Sequence, residues 1–148
     1  MTEATVRPDV RRFFERYGQA SDGLNLQAVG ASFADVFLSL DPNSVSVVTR
    51  EQLLVVLPRR QQLMAAISGI GANLTDFDEK VLDERHTLAR TSWQVRFDAE
   101  HEDGEPLALH SSFLLRLEED GWRIVLYLNH QDIAALVAAR FESAAYAT

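Results

Sequence analysis

Apolar positions in this chain change spacing once, from a helical period before about residue 67 to strict alternation from about residue 73. Residues 8–20, PDVRRFFERYGQA, put Val10, Phe13, Phe14 and Tyr17 on one stripe of a helix. Pro8 suits the first turn, where a missing N–H costs nothing, and Ser21, Asp22 and Gly23 break the helix. Asn25 can cap a second, short helix to about Phe33, with Leu26, Val29 and Phe33 on one side. DVFLSLDPN then reads as a short strand closed by a turn at 41–43. TREQ at 49–52 has the form of a capping box, in which Thr49 serves one free N–H and Gln52 reaches back to another. The helix it opens is expected to bend or restart at Pro58, and to bury Leu63, Met64 and Ile67 before Ser68 and Gly69 end it.

Beyond that point the alternation predicts strands at 73–84, 87–98, 107–118 and 122–129. HEDGE at 101–105 and EEDG at 118–121 carry the Asp-Gly signature of tight hairpins. Helices followed by hairpin-linked strands argue an α+β fold with antiparallel pairing. QDIAALVAARF predicts an added C-terminal helix at about 131–142, with Ile133, Leu136, Val137 and Phe141 on one face. No linker or repeat divides the chain, so residues 1–148 are expected to form one domain with its core at about 8–130.

One face of the sheet is apolar: Ala89, Thr91, Trp93, Val95 and Phe97, then Leu107, Leu109, Ser111, Phe113, Leu115 and Leu117, then Trp122, Ile124, Leu126 and Leu128. The opposite face carries Arg90, Ser92, Gln94, His110, Ser112 and Arg116. Thr91 and Ser111 interrupt the apolar face. Either each bonds a nearby carbonyl, or they point into a cavity and orient a ligand. Trp93 has the same two readings, core or stacking surface.

Composition narrows the classes. Apolar residues at 47% and charged residues at 24% suit a globular protein, and the longest apolar run, LLVVL at 53–57, is too short to span a bilayer. The N-terminus lacks the apolar middle of a signal peptide, so the cytoplasm is the expected location. With no cysteine there is no disulfide or thiolate metal site, and a net charge of −8 argues against nucleic acid and anionic membranes. His86, His101, His110 and His130 lack zinc-site spacing, and no phosphate-binding glycine motif or nucleophile elbow occurs; no metal or cofactor is expected.

The strand pair RTSWQVRF (90–97) and HSSFLLRLEEDGWRIVLYLN (110–129), with the short FADVFLSLDPN segment, resembles the nuclear transport factor 2-like superfamily, and its SnoaL-like branch in particular. The resemblance implies a cystatin-like roll: a curved antiparallel sheet wrapped around the N-terminal helices into a cone, open at one end to a pocket. It also implies a homodimer formed through the sheet. The superfamily holds isomerase-like enzymes, cyclases, dehydratases, small-ligand binders and non-catalytic interaction domains, so the fold does not choose among them. The TREQLLVVLPRRQQL segment and the C-terminal helix depart from its simplest pattern.

Two functions follow as expectations. The first is binding of a small apolar ligand in the cone by Tyr17, Thr91, Trp93, Ser111, Phe113 and Asn129, with isomerase, cyclase or dehydratase-type acid–base chemistry open to it. Tyr17 lies where an oxyanion-stabilising phenol could sit, or is a core tyrosine. His130, just beyond the last strand, has a side chain suited to proton transfer near neutrality; alternatively Asn129 or His130 only begins the final helix. The second function is a non-catalytic dimeric interaction or scaffold domain that works through the outer sheet face, with Arg90, Gln94, His110, Ser112 and Arg116.

Overall fold

The computed structural model describes residues 8–22, 25–66, 69–97, 107–133, 135–136 and 138–139, with the backbone alone at 63–66, 69, 70 and 97. In chain order come α1 (Val10–Asp22), α2 (Leu26–Ala31), β1 (Phe33–Asp41), β2 (Ser44–Thr49), α3 (Arg50–Ala66), β3 (Gly69–Val81), β4 (His86–Phe97), β5 (Ala108–Glu118) and β6 (Gly121–Asn129). The six strands form one curved sheet in the order β2-β1-β6-β5-β4-β3. Their inner face packs against the helices, and the fold is α+β.

Local chemistry accounts for the starts and turns. The capping box is made in full: Thr49 N–H donates to Gln52 Oε1 at 2.9 Å, and Gln52 N–H to Thr49 Oγ1 at 3.2 Å. Asn25 Oδ1 accepts from Ala28 N–H and so caps α2. Asn43 N–H donates to Asp41 Oδ1, closing the turn between β1 and β2. Gly121 ends the β5–β6 turn with φ at 128°, a value that side-chain-bearing residues rarely adopt.

Several expectations need correcting. Phe33 opens β1 and does not close α2; SVSVVT, read as no element, is β2, paired antiparallel with β1. β3 begins at Gly69 and ends at Val81, earlier at both ends than the alternation suggested. α3 does not restart at Pro58 but runs through it; Pro58 is on the exposed side, where water can take the carbonyl bond that proline leaves. The sheet is not wholly antiparallel, because β1 lies parallel to β6. Ile133 and Leu136 pack against the core as expected of the C-terminal helix. Val137, Phe141, Ile67, the side chains of Leu63 and Met64, and the HEDGE turn with His101 lie outside the described residues.

The largest correction concerns β6. Leu115 faces Ile124 but Leu114 faces Leu126, so Val125 is an extra residue in that strand. Trp122 and Ile124 keep the inner face, and both are buried. After Val125 the alternation is inverted. Tyr127 and Asn129 stand opposite Phe113 and Ser111 on the inner face, while Leu126 and Leu128 turn outward with Leu114 and Ser112.

The core is a chain of aromatic rings. Phe14 of α1 is fully buried and meets Phe113 at 4.8 Å, Phe13 at 5.1 Å and Phe77 at 6.0 Å between ring centroids. Trp122 Nε1 donates to the carbonyl of Pro8 at 2.9 Å, fastening the start of α1 to β6. Phe14 joins the helix layer to β3 and β5, so Phe14→Ala should cost about 3–5 kcal/mol. Urea unfolding monitored by circular dichroism measures this, and a loss below about 1 kcal/mol would show that the rings repack without it.

Candidate functional site

Where the curved sheet parts from the helices, a cavity of about 450 Å³ remains. Leu26 and Val29 of α2, Leu57 of α3, and Val95, Leu109 and Phe113 of the sheet form its apolar wall. Tyr17, Trp93 and Tyr127 add ring surface. Gly18 lets α1 pass close to this wall, since a Cβ there would lie 3.0 Å from the Trp93 ring. Thr91 holds that ring in place from behind: its Oγ1 accepts from Trp93 Nε1 at 2.8 Å and donates to the Ser111 carbonyl at 3.2 Å.

Arg60 and Tyr127 form one polar group on the cavity wall. Arg60 reaches in from α3 and donates from Nη2 to the Tyr127 hydroxyl at 3.0 Å, with its guanidinium 5.7 Å from the Tyr127 ring centre. Among the described residues no carboxylate lies within salt-bridge distance of it. Tyr127 raises the pKa of the Arg60 guanidinium by more than burial lowers it, so Arg60 is a permanent cation. Tyr17 packs at 6.1 Å from Phe113 and 6.3 Å from Trp93. Burial first, and then Tyr127, push its phenol up to about 12 against the opposing pull of Arg60. Neither the Tyr17 hydroxyl nor Ser111 Oγ, in a residue only 5% exposed, has a hydrogen-bond partner among the described residues.

Asp22, at the end of α1, also lines the cavity. Its carboxylate is already engaged, accepting from the Ala72 N–H at 3.1 Å and pairing with Arg96. That pair sits by β3 and β4, whereas Tyr127 is on β6, so β5 lies between the two polar groups.

The sequence candidates divide accordingly. Tyr17, Trp93, Ser111 and Phe113 line the cavity together. Thr91 is behind the wall, in the carbonyl-bonded role. Asn129 is buried beside Ser111, and its Oδ1 accepts from Gln131 Nε2 at 2.9 Å, without reaching the cavity lining. His130 is exposed, on the outer side of the sheet, with Nε2 2.7 Å from Ser112 Oγ. Neither residue caps the final helix: Asp132 does, through Oδ1 to the Ala135 N–H at 3.0 Å. Arg60 and Tyr127 were not foreseen. Arg60 follows Leu53 by seven positions and Leu57 by three, so a charge interrupting the buried stripe of α3 was the available signal.

The family model described as "NTF2-like protein (DUF6841)" matches residues 7–132. Among solved structures, an NTF2-like protein from Shewanella oneidensis superposes with a TM-score of 0.66 at 10% identity, over 82% of this chain and 96% of that one. An NTF2-like protein with a cystatin-like fold from Novosphingobium aromaticivorans gives 0.65 at 19% identity, over 88% and 85%. Aln2 from a Streptomyces species gives 0.65 at 13% identity, over 89% and 98%. At these identities the likeness is one of fold. No curated protein matches the sequence.

The raised value for Tyr17 is directly testable. Of the three tyrosines, the one replaced in Tyr17→Phe should account for a tyrosinate absorbance step near pH 12, well above the ordinary 10. Because the folded-state value is the higher one, the associated stability is complete below about pH 10 and is lost as pH rises to about 12. If the variant instead lost a step near pH 10, the assignment would be contradicted.

Proposed function

The chain belongs to the NTF2-like family DUF6841, and on that premise we propose that it binds a small, largely apolar molecule in the cavity of its cone. The observation that carries this reading is the cavity itself, about 450 Å³, apolar over most of its wall, with the Arg60–Tyr127 pair and the unpartnered hydroxyls of Tyr17 and Ser111 among its few polar groups. That is the size and make-up of small-molecule sites, in which apolar area supplies affinity and a few polar groups set orientation. The similarity of the strand pairs to the SnoaL-like branch points the same way.

Acid–base chemistry of an isomerase, cyclase or dehydratase kind would draw on Tyr17 as an O–H donor to a developing oxyanion, since its raised pKa keeps the phenol protonated. The carboxylate on the cavity wall, Asp22, is committed to Arg96 and the Ala72 N–H, which favours binding over proton abstraction as the basic function.

A second reading is supported by the outer sheet face. Val45 (65% exposed) and Val47 (70%) of β2 align with Leu40 and Leu38 of β1, and these with Leu128 and Leu126 of β6, in one apolar band. A monomer would leave that band in water, and apolar patches of this kind mark association surfaces. We infer a homodimer through this face, compatible with ligand binding on the other side of the sheet.

Native mass spectrometry of freshly purified protein addresses both points. The expected result is a dimer carrying added mass that disappears on denaturation. Leu109→Trp, which fills the cavity, should abolish the added mass and leave the dimer, whereas Val47→Asp should leave mainly monomer. Added mass that survives the filled cavity would move the ligand elsewhere, and a dimer that tolerates Val47→Asp would move the interface.

A further inference from the structure

We propose that the ligand of this cavity carries a single carboxylate, held by the guanidinium of Arg60 with the hydroxyls of Tyr17 and Tyr127 beside it. The inference rests on the reading of the cone as a ligand cavity and adds the chemical class of what enters it.

The argument begins with charge. Asp22 and Arg96 neutralise each other, so the cavity wall is left with one uncompensated unit, the cation of Arg60. A half-buried cation without a counterion is costly, and the position it occupies on α3 continues the line of Leu53 and Leu57, where an aliphatic residue would pack at no such cost. One excess positive charge matches a monoanion. It does not match a phosphate dianion, which needs more than one cation, or an amine.

Hydrogen-bonding capacity agrees. The guanidinium spends one contact on Tyr127 and keeps most of its donors. Because Tyr127 Oη accepts from Arg60, its own proton is free to donate. Tyr17 holds its proton and has no acceptor among the described residues. Gln61, beside Arg60 on α3, also lines the cavity and brings one carbonyl acceptor but two N–H donors, so donors still outnumber acceptors around Arg60. The planar fork of a guanidinium meets the two oxygens of a carboxylate in one plane, which a neutral carbonyl or amide cannot reproduce. The rest of the ligand faces Trp93, Phe113, Val95 and Leu109, so it is apolar, and flat rings suit it.

The test compares benzoate, 2-naphthoate and decanoate with their amides on the full-length protein, by isothermal titration and quenching of tryptophan fluorescence. The acids should bind about 10- to 100-fold more tightly than the amides, the range expected for hydrogen bonds to a charged group. Arg60→Met should remove that preference, and Arg60→Lys should keep part of it, retaining the charge without the fork. Thermal unfolding supplies a readout that a purely structural Arg60 would reverse: Arg60→Met should melt no lower than the parent. Acids and amides that bind equally well would overturn the carboxylate assignment and leave the ligand cavity standing. Failure of every probe to bind would overturn the cavity reading and this inference with it. The acid–amide comparison on the unaltered protein decides the matter even if Arg60→Met does not fold.

Discussion

A sheet that keeps strict alternation along every strand presents the same residues to the same side from end to end, and it resists bending around a set of helices. The extra residue at Val125 relaxes that constraint. It lets β6 serve two purposes in one short strand: Trp122 and Ile124 close the core at one end, and Tyr127 faces the cavity at the other. Shifts of register between Gly69 and Gly71 and between Leu74 and Asp76 do the same for β3 at the far side of the sheet. Curvature, cavity and the Arg60–Tyr127 contact all depend on these interruptions.

Much of the fold was legible because it was written in local chemistry. The capping box at 49–52 is specified by two side chains and two backbone N–H groups within a single turn, so nothing distant can override it. The inner faces of β4 and β5 followed from alternation because those strands pair with each other from His86 to Gln94 without a shift. Ala89, Thr91, Trp93 and Val95 are all buried as the pattern required. The dual nature of Thr91 and Ser111 was also visible as a question. Its answer, one hydroxyl behind the wall and one on it, needed three dimensions.

What escaped the sequence was set by partners far along the chain. A bulge adds no special residue here, only a valine among other apolar residues, so the inversion after Val125 leaves no mark in the pattern. Alternation alone puts Leu126 and Leu128 inward for that reason, whereas the fold turns both outward and brings Tyr127 to the cavity. β2 is short and rich in β-branched residues, and its six residues are stabilised by the neighbouring β1 more than by any periodicity of their own. Arg60 offered a clue in the stripe it interrupts, yet one charge on a helix is ordinarily solvated, and only its meeting with Tyr127 makes it part of a site.

The parallel pairing of β1 with β6 has a consequence in time. β1 is synthesised well before β6, and the hydrogen bond from Trp122 to Pro8 joins residues 114 positions apart. Closing so large a loop is entropically expensive and is rewarded only once both ends are available. A nascent chain emerging from the ribosome therefore holds α1 and the β1–β2 hairpin without their place in the sheet until β6 has followed. Folding is expected to be slow and to wait for that strand, with the apolar surface of β1 and β2 exposed in the meantime to whatever chaperones attend the exit tunnel.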